Sequence, residues 1–414
     1  MSCHDWRTGP PHPAPEPAFL SARVDRFHVT RLQPPDAGRA VICGGQPGPG
    51  AVQLRSNDYL CLARDPRIIE AEIATLRLYG HGTAISRIFV QHEEDLYRRF
   101  ERRAASLLQA EDAVLCMSGY SANTGLLGLL ARPDTPVYID VRAHASLWDG
   151  LAASRAPVHV LRHNDPAHLE RRLREHGPGV VVVDALYSTH GAFCPLAEIV
   201  GVTEAFGAVL VLDETHSFGA QGPGGGGLAV AAGLAHRVHF RTIGLSKAVA
   251  SRGGLVAGSS RLMDWVRYAA SPLIFSTSVL IHEVAGYLAA FDIIEAEECR
   301  RRRLAANHAR LKAGLMELGY AVDESDAQII ALEAGAEPMA VALRQALERE
   351  GVFGSGFCPP ASPKNRAFIR LTLNCDLKTE EIDRVLVACA RIRDEPSFAA
   401  LPVLARRRTR ALAA

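Results

Sequence analysis

Apolar positions along the chain recur in two patterns. From Pro66 to Leu78, and again from His92 to Leu108, they return every three to four residues, which predicts helices; the second is strongly charged on its other face. Further on, short β-branched runs alternate with helical stretches. Ala113 to Cys116, Val137 to Asp140, Val158 to Leu161, Val180 to Asp184 and Val209 to Asp213 are the strand candidates. An apolar helix is predicted from Asn123 to Leu130, just after the turn Ser118-Gly119-Tyr120. Strands alternating with helices predict an α/β fold with a mainly parallel sheet covered on both faces.

From about Ile281 the pattern becomes helical and ends in the charged segment Glu295 to Leu318. A shorter α+β stretch follows, with strands expected near Ile329 to Leu332 and Phe368 to Leu373. Residues 1–50 are rich in proline and glycine with weak periodicity, and read as an arm that is partly disordered at its start. The division predicted is an arm (1–50), a large domain (51–285) and a smaller C-terminal domain (286–414).

Composition narrows the class of partner. Hydrophobic residues make up 48% of the chain, charged residues 22%, and the formal net charge is +1. That balance gives a full core and no bulk attraction to nucleic acid or a membrane surface. The N-terminal segment has no apolar leader pattern and no stretch approaches the length of a membrane span, so a cytoplasmic protein is expected. Nine cysteines without a C-x-x-C pair read as reduced thiols, not as a disulfide framework or a metal site.

Of 46 basic residues only four are lysines, which limits the search for a reactive amine. Lys312, Lys364 and Lys378 lie in polar surroundings and read as solvated charges. Lys247, in Gly-Leu-Ser-Lys-Ala-Val-Ala, has small or apolar neighbours and no local carboxylate. It is either a functional amine with a depressed pKa or a structural lysine whose stem is buried. Asp213 ends a β-branched run, where open α/β sheets bind ligands; it is either a helix cap or a carboxylate for a pyridinium nitrogen. Ser118-Gly119-Tyr120 opens a helix whose free amides suit a phosphate, although many turns look alike. His144 follows a strand and is either structural or catalytic. The glycines between Gly222 and Gly227 lack the setting of a dinucleotide fingerprint and read as a tight or mobile loop. The runs Arg300 to Arg303 and Arg406 to Arg408 read as solvated, with coenzyme A binding as a second reading of the first.

Taken in order, these segments resemble the α-oxoamine synthase family of pyridoxal phosphate (PLP) enzymes. The resemblance covers about Ser56 to Asp383. It implies the PLP-dependent transferase fold type I, which is aspartate aminotransferase-like. Lys247 then corresponds to the Schiff-base lysine, and Asp213 and His216 to the partners of the ring nitrogen and ring hydroxyl. His144 corresponds to the residue stacked on the ring, Ser118, Gly119 and Tyr120 to the phosphate-side turn, and Ser188 to a serine near the hydroxyl. Asn57, in Ser-Asn-Asp-Tyr-Leu, and Arg370, in Ile-Arg-Leu-Thr, correspond to substrate-binding residues, the latter clamping an amino acid carboxylate. Phe275-Ser276-Thr277-Ser278 resembles a segment that reaches the phosphate of a neighbouring subunit, which implies a homodimer.

Three positions depart from the commoner members. Thr189-His190-Gly191-Ala192 follows Ser188, Asn374-Cys375-Asp376 follows the Arg370 strand, and Gly244 stands where a threonine is usual, with Thr242 or Ser246 as alternative hydroxyls. The Asn-x-Asp-Leu ending and Ser86-Arg-Ile-Phe89 resemble the branch that makes long-chain aminoketone autoinducers. That branch implies a decarboxylating condensation of an acyl-CoA with 2-aminobutyrate or S-adenosylmethionine, with Lys247 as base for the α-proton. A primary-metabolic member of the family, making a biotin or 5-aminolevulinate precursor or ligating aminoketobutyrate, is the alternative. A non-catalytic sensor of the same fold would be marked by loss of Lys247, which is present.

Overall fold

A computed structural model describes residues 16–31, 44–82, 85–89, 95–359, 361–399 and 401–402. Its centre is a seven-stranded sheet built from β2 (Asp112–Cys116), β3 (Val137–Asp140), β4 (Val158–Leu161), β5 (Val180–Asp184), β6 (Val209–Asp213), β7 (Phe240–Gly244) and β8 (Gly254–Gly258). The order is β2-β8-β7-β6-β5-β3-β4; β8 is antiparallel to both neighbours and the other pairings are parallel. All five valine-rich positions of β5 are buried. Val180 and Val182 pack into one core cluster, and Val181 and Val183 into another on the opposite face, so the strand alternates between two helix layers.

A smaller sheet carries β1 (Val52–Leu54), β9 (Ile329–Gly335), β10 (Val352–Phe357) and β11 (Ala367–Thr372) in the order β1-β10-β11-β9. β1 runs parallel to β10, with Val52 opposite Val352. Residues 52–54, assigned from sequence to the large domain, therefore complete the sheet of the C-terminal one. We keep the division near residue 285 as our proposal, with β1 as a strand that crosses it.

Helix starts follow the local chemistry. Asp65 accepts from the Arg67 amide at 3.1 Å with Pro66 in the first turn, and Asp95 accepts from the Arg98 amide at 2.7 Å before the helix Leu96–Leu108. The expected start of that helix at His92 lies outside the described residues. The charged C-terminal helix is two helices, Ile281–Ala296 and Glu298–Glu317. Glu297 leaves helical geometry between them and takes hydrogen bonds from Arg67 at 2.6 Å and Arg300 at 2.7 Å. The arginine run there is not simply solvated: Arg301 is buried and donates to the Ile294 carbonyl, and Arg300 donates to the Leu60 carbonyl at 2.7 Å. Arg406 to Arg408 lie outside the described residues. So does the start of the arm, whose described part includes the helix Ala18–Arg31. Among the described residues, no helix is long and apolar enough to cross a membrane.

Beneath the strand ends, Glu214 and Arg241 form a wholly buried ion pair. The Gly222 to Gly227 loop wraps it: a Cβ on Gly227, at φ +91°, would lie 2.6 Å from the Glu214 carboxylate. The loop is thus a tight packing element, and glycine is what lets the backbone approach a buried charge.

Candidate active site

The cleft begins where β5 and β6 end. Asp184 and Asp213 sit side by side in register. The Asp213 carboxylate accepts from the Thr215 amide at 2.9 Å and from the Asn123 side chain at 2.6 Å. Asn123 also donates to Ser146 Oγ at 2.9 Å, while its own Oδ1 is buried without a hydrogen-bond partner. Burial, and then the neighbouring Asp213, push the Asp184 carboxyl well above the usual carboxylate range, so Asp184 is held toward its protonated form. His144 caps the helix Ala145–Ala152, and its Nδ1 lies 2.7 Å from Ser146 Oγ, which fixes the ring over this floor.

One end of the cleft is made of backbone. Ser118 caps the helix Gly119–Leu130 and exchanges hydrogen bonds with Ser121 at 2.9 and 3.0 Å. A Cβ on Gly119 would meet Gly244 Cα at 2.7 Å, so the helix start lies directly on the β7 terminus. Tyr120 lines the cleft with its hydroxyl turned outward to Asp149.

Gly244 leaves space that Thr215 fills: the Thr215 hydroxyl oxygen accepts from the Gly244 amide at 2.8 Å, and a Cβ at 244 would crowd the Thr215 methyl at 3.1 Å. Of the hydroxyls expected from sequence, Ser246 lines the cleft, whereas Thr242 is buried in the sheet with no partner for its Oγ1. Thr215 is a third, which the sequence reading missed.

Lys247 follows on the β7–β8 connection, half-buried. Burial lowers its pKa, the Arg370 charge lowers it further, and Asp213 opposes the shift. His216 is pushed well below the usual histidine range by burial first, then by Lys247 and Arg370. Its Nδ1 lies 2.5 Å from the Tyr59 hydroxyl, and its carbonyl accepts from Gln328 at 2.7 Å.

The small sheet delivers Arg370 from β11. Its guanidinium donates to the Ser188 carbonyl at 2.9 Å and to Asn57 Oδ1 at 3.2 Å, and lies 4.6 Å from the centre of the Phe357 ring. It is 7% exposed, and its Nε is buried without a partner. From Lys247 and Arg370 the cleft opens into a cavity of about 1060 Å³, walled in part by Trp148, Phe357, Pro363 and Phe368. His190, at its rim, pairs with Glu333 at 3.1 Å.

The twelve residues singled out from sequence are not all brought together. Asn57, Ser118, Gly119, Tyr120, His144, Ser188, Asp213, His216, Lys247 and Arg370 line the cleft or bond to residues that do. Ser276 and Thr277 do not: within one chain they line a separate small pocket beside Met117, and the Ser276 hydroxyl donates to the Pro272 carbonyl. Asn123, Thr215, Tyr59 and Arg252 were missed. Arg252 lines the cleft near Ser118, with Glu283 3.6 Å away. Nothing in its sequence context separates it from a solvated arginine.

Comparisons with known proteins agree on the family of this cleft. A model of the family described as aminotransferase class I and II matches residues 49–388. A CAI-1 autoinducer synthase from Vibrio campbellii is 36% identical over 94% of this chain and 98% of its own length. A putative 8-amino-7-oxononanoate synthase from Geobacillus kaustophilus is 37% identical over 84% of this chain and 89% of its own. Among solved structures, a serine palmitoyltransferase from S. paucimobilis with bound PLP–myriocin aldimine superposes with a TM-score of 0.82 at 27% identity, over 90% of this chain and 98% of that one.

Proposed function

Because the chain belongs to the aminotransferase class I and II family, in its α-oxoamine synthase group, we propose that it joins a medium- or long-chain acyl-CoA to an amino donor to make an aminoketone of the autoinducer kind. It is a pyridoxal phosphate enzyme, and its chemistry is an α-oxoamine synthase-type acyl-CoA condensation. The cleft fits that cofactor on its own observations: a carboxylate oriented by Asn123 and Thr215 on the floor, an unpartnered buried Asn123 Oδ1, and a helix start pressed onto Gly244.

In our reading Lys247 anchors the cofactor, and Asp213 and His216 hold the ring nitrogen and hydroxyl. His144 lies against the ring; Ser118, Gly119 and Tyr120, helped by Thr215 and Arg252, take the phosphate. When bound, PLP supplies an aldehyde that captures an amine and a ring that accepts an electron pair from the adjacent carbon. Arg370, preset by Ser188 and Asn57, clamps the amino acid carboxylate with a planar fork. Lys247 would serve as the base that takes the α-proton of the bound amino donor. Its lowered pKa keeps a larger share of it unprotonated near neutral pH. The carbon so activated attacks the thioester, coenzyme A leaves, and loss of carbon dioxide gives the aminoketone.

The observation that carries the long-chain reading is the apolar wall of Trp148, Phe357, Pro363 and Phe368 beside Lys247 and Arg370. The similarity to the Vibrio campbellii autoinducer synthase along nearly the whole chain supports it. The amino donor in this reading is 2-aminobutyrate or S-adenosylmethionine. Similarity to an 8-amino-7-oxononanoate synthase at 37% identity favours a second reading, with a short dicarboxylic acyl group.

Incubating the PLP-loaded enzyme with decanoyl-, pimeloyl- and succinyl-CoA, each with a panel of amino donors, separates them. We expect thiol release and an aminoketone mass with decanoyl-CoA; turnover confined to pimeloyl- or succinyl-CoA would overturn the first reading. We also propose a homodimer in which Phe275 to Ser278 serve the partner's phosphate site. Phe275 is 83% exposed, and Leu78 and Tyr79 are exposed as well. Sedimentation should give a dimer.

A further inference from the structure

Two cysteines lie together outside the chemistry just described. Cys61 follows the segment that carries Asn57 and Tyr59, and Cys375 follows β11, which carries Arg370. Their sulfurs and an Asp376 carboxylate oxygen all lie within 4.8 Å of one another. The two segments are tied side by side by the Cys375 amide, which donates to the Tyr59 carbonyl at 2.9 Å. Cys61 holds a left-handed φ of 55°, a conformation that residues with a Cβ seldom adopt, so this turn is fixed by its surroundings.

The charges nearby decide between two chemistries. Two thiols and a carboxylate are a partial ligand set for a soft cation. Against that, Arg303 donates to the Cys375 carbonyl at 3.2 Å and reaches Asp376 at 3.4 Å, and Arg300 lies 3.4 Å from the Cys61 carbonyl. Two guanidiniums repel a cation and stabilise a thiolate. The two thiols lie side by side, and the Cys375 thiol also donates to the Asp376 carboxylate at 3.4 Å. Either sulfur can act as nucleophile with the other as its resolving partner, and Cys61 is the more exposed of the two.

We propose that Cys61 and Cys375 form a reversible disulfide that couples the redox state of the surroundings to the amino acid clamp. The thiolate of one of the two cysteines attacks a hydroperoxide such as hydrogen peroxide, giving a sulfenic acid and hydroxide. The other thiol then displaces water from that sulfur; in sum, two thiols and one peroxide give one disulfide and two waters. The sulfurs must close to about 2 Å, which draws the Asn57–Tyr59 segment against the strand of Arg370. Asn57 bonds Arg370 and Tyr59 meets His216, so the crosslink acts on substrate binding from behind the cleft.

The effect on the clamp rests on the function proposed above; the disulfide itself does not. The PLP-loaded full chain is treated with near-stoichiometric hydrogen peroxide, freed of oxidant, and digested without reductant for mass spectrometry. A Cys61–Cys375 linked peptide, two hydrogens lighter than its parts, is expected in wild type and in Cys299→Ser, and absent in Cys61→Ser and Cys375→Ser. The KM for the amino donor should rise about fivefold or more, return with dithiothreitol, and stay unchanged by peroxide in Cys375→Ser. Absence of the linked peptide overturns the proposal. So does stoichiometric zinc retained by wild type and lost in Cys375→Ser, which would make the cluster a metal site. A linked peptide with unaltered KM overturns the coupling, and because that peptide is read without turnover, its failure is distinct from failure of the condensation.

Discussion

Asp213 and Glu214 are neighbours in sequence, yet they belong to two different kinds of interior. Glu214 and Arg241 are 0% and 1% exposed as side chains, and every charged atom is used. Glu214 accepts from the Ala229 amide at 2.9 Å and from Ser217 at 3.3 Å, and Arg241 donates to the carbonyls of Gly226, at 2.6 Å, and Leu108. One residue away, the cleft leaves buried polar capacity unspent: Asn123 Oδ1 and Arg370 Nε have no partner, and Lys247 and Arg370 face each other with their charges disfavoured. A closed network of buried charge belongs to the fold, because nothing further can bond to it. An open one is a standing demand for a ligand that completes it.

Lys247→Ala should break the open side hardest, lowering condensation by on the order of 10³-fold or more while the unliganded protein stays folded. Steady-state product formation and circular dichroism read the two halves of that statement. Glu214→Gln should do the reverse. It strands Arg241 and should lower unfolding free energy by about 3–5 kcal/mol in urea titration, with the turnover of the molecules still folded little changed. Equal effects of both substitutions on activity would erase the distinction.

Asp213→Asn should cost about 10²–10³-fold in turnover with near-native stability. Arg370→Lys keeps the charge but loses the fork; the KM for the amino donor should rise about 10- to 100-fold, from about 1.5–3 kcal/mol of charge-assisted bonding.

Protonation is the gentlest probe. His308 sits in a closed setting, 3.0 Å from Ser325 Oγ, and burial, then Lys312, lower its pKa to about 4. The unfolded chain takes up that proton near pH ~6.5 and the fold excludes it. Stability is therefore full above about pH 6.5 and is lost as pH falls toward 4; His308→Gln should remove on the order of 2 kcal/mol of that loss.

The difference between the regions also explains what could be read from sequence. Strands buried on both faces spell themselves out in valine, so β3, β5 and β6 were legible. β7 was not, because Arg241 interrupts it, and a buried arginine reads as surface until Glu214 is seen beside it. β8 begins and ends with glycine, β10 is interrupted by glycines, and β1 has only three residues. In the cleft, Lys247 stood out by its apolar neighbours and Asp213 by its place at a strand end. Asn123 and Thr215 act through partners far along the chain, Asp213 and Gly244, and no local pattern announces them. The Arg300 to Arg303 run misled in the other direction, since Arg300, Arg301 and Arg303 are spent on carbonyls and carboxylates of the fold. Ser276 and Thr277 carry the family resemblance but face away from their own chain's cleft.

The parallel pairing of β1 with β10 has a consequence for how the molecule is made. Val52 meets Val352 across about 300 residues of chain, a contact of high order that nothing local rewards. During synthesis the segment bearing Asn57 and Tyr59 leaves the ribosome long before the strands that fix it. The large sheet can be finished while this early piece still waits. The end of the cleft where Asn57 meets Arg370 is thus completed late, and an unfinished chain holds a nearly complete floor with that end still open.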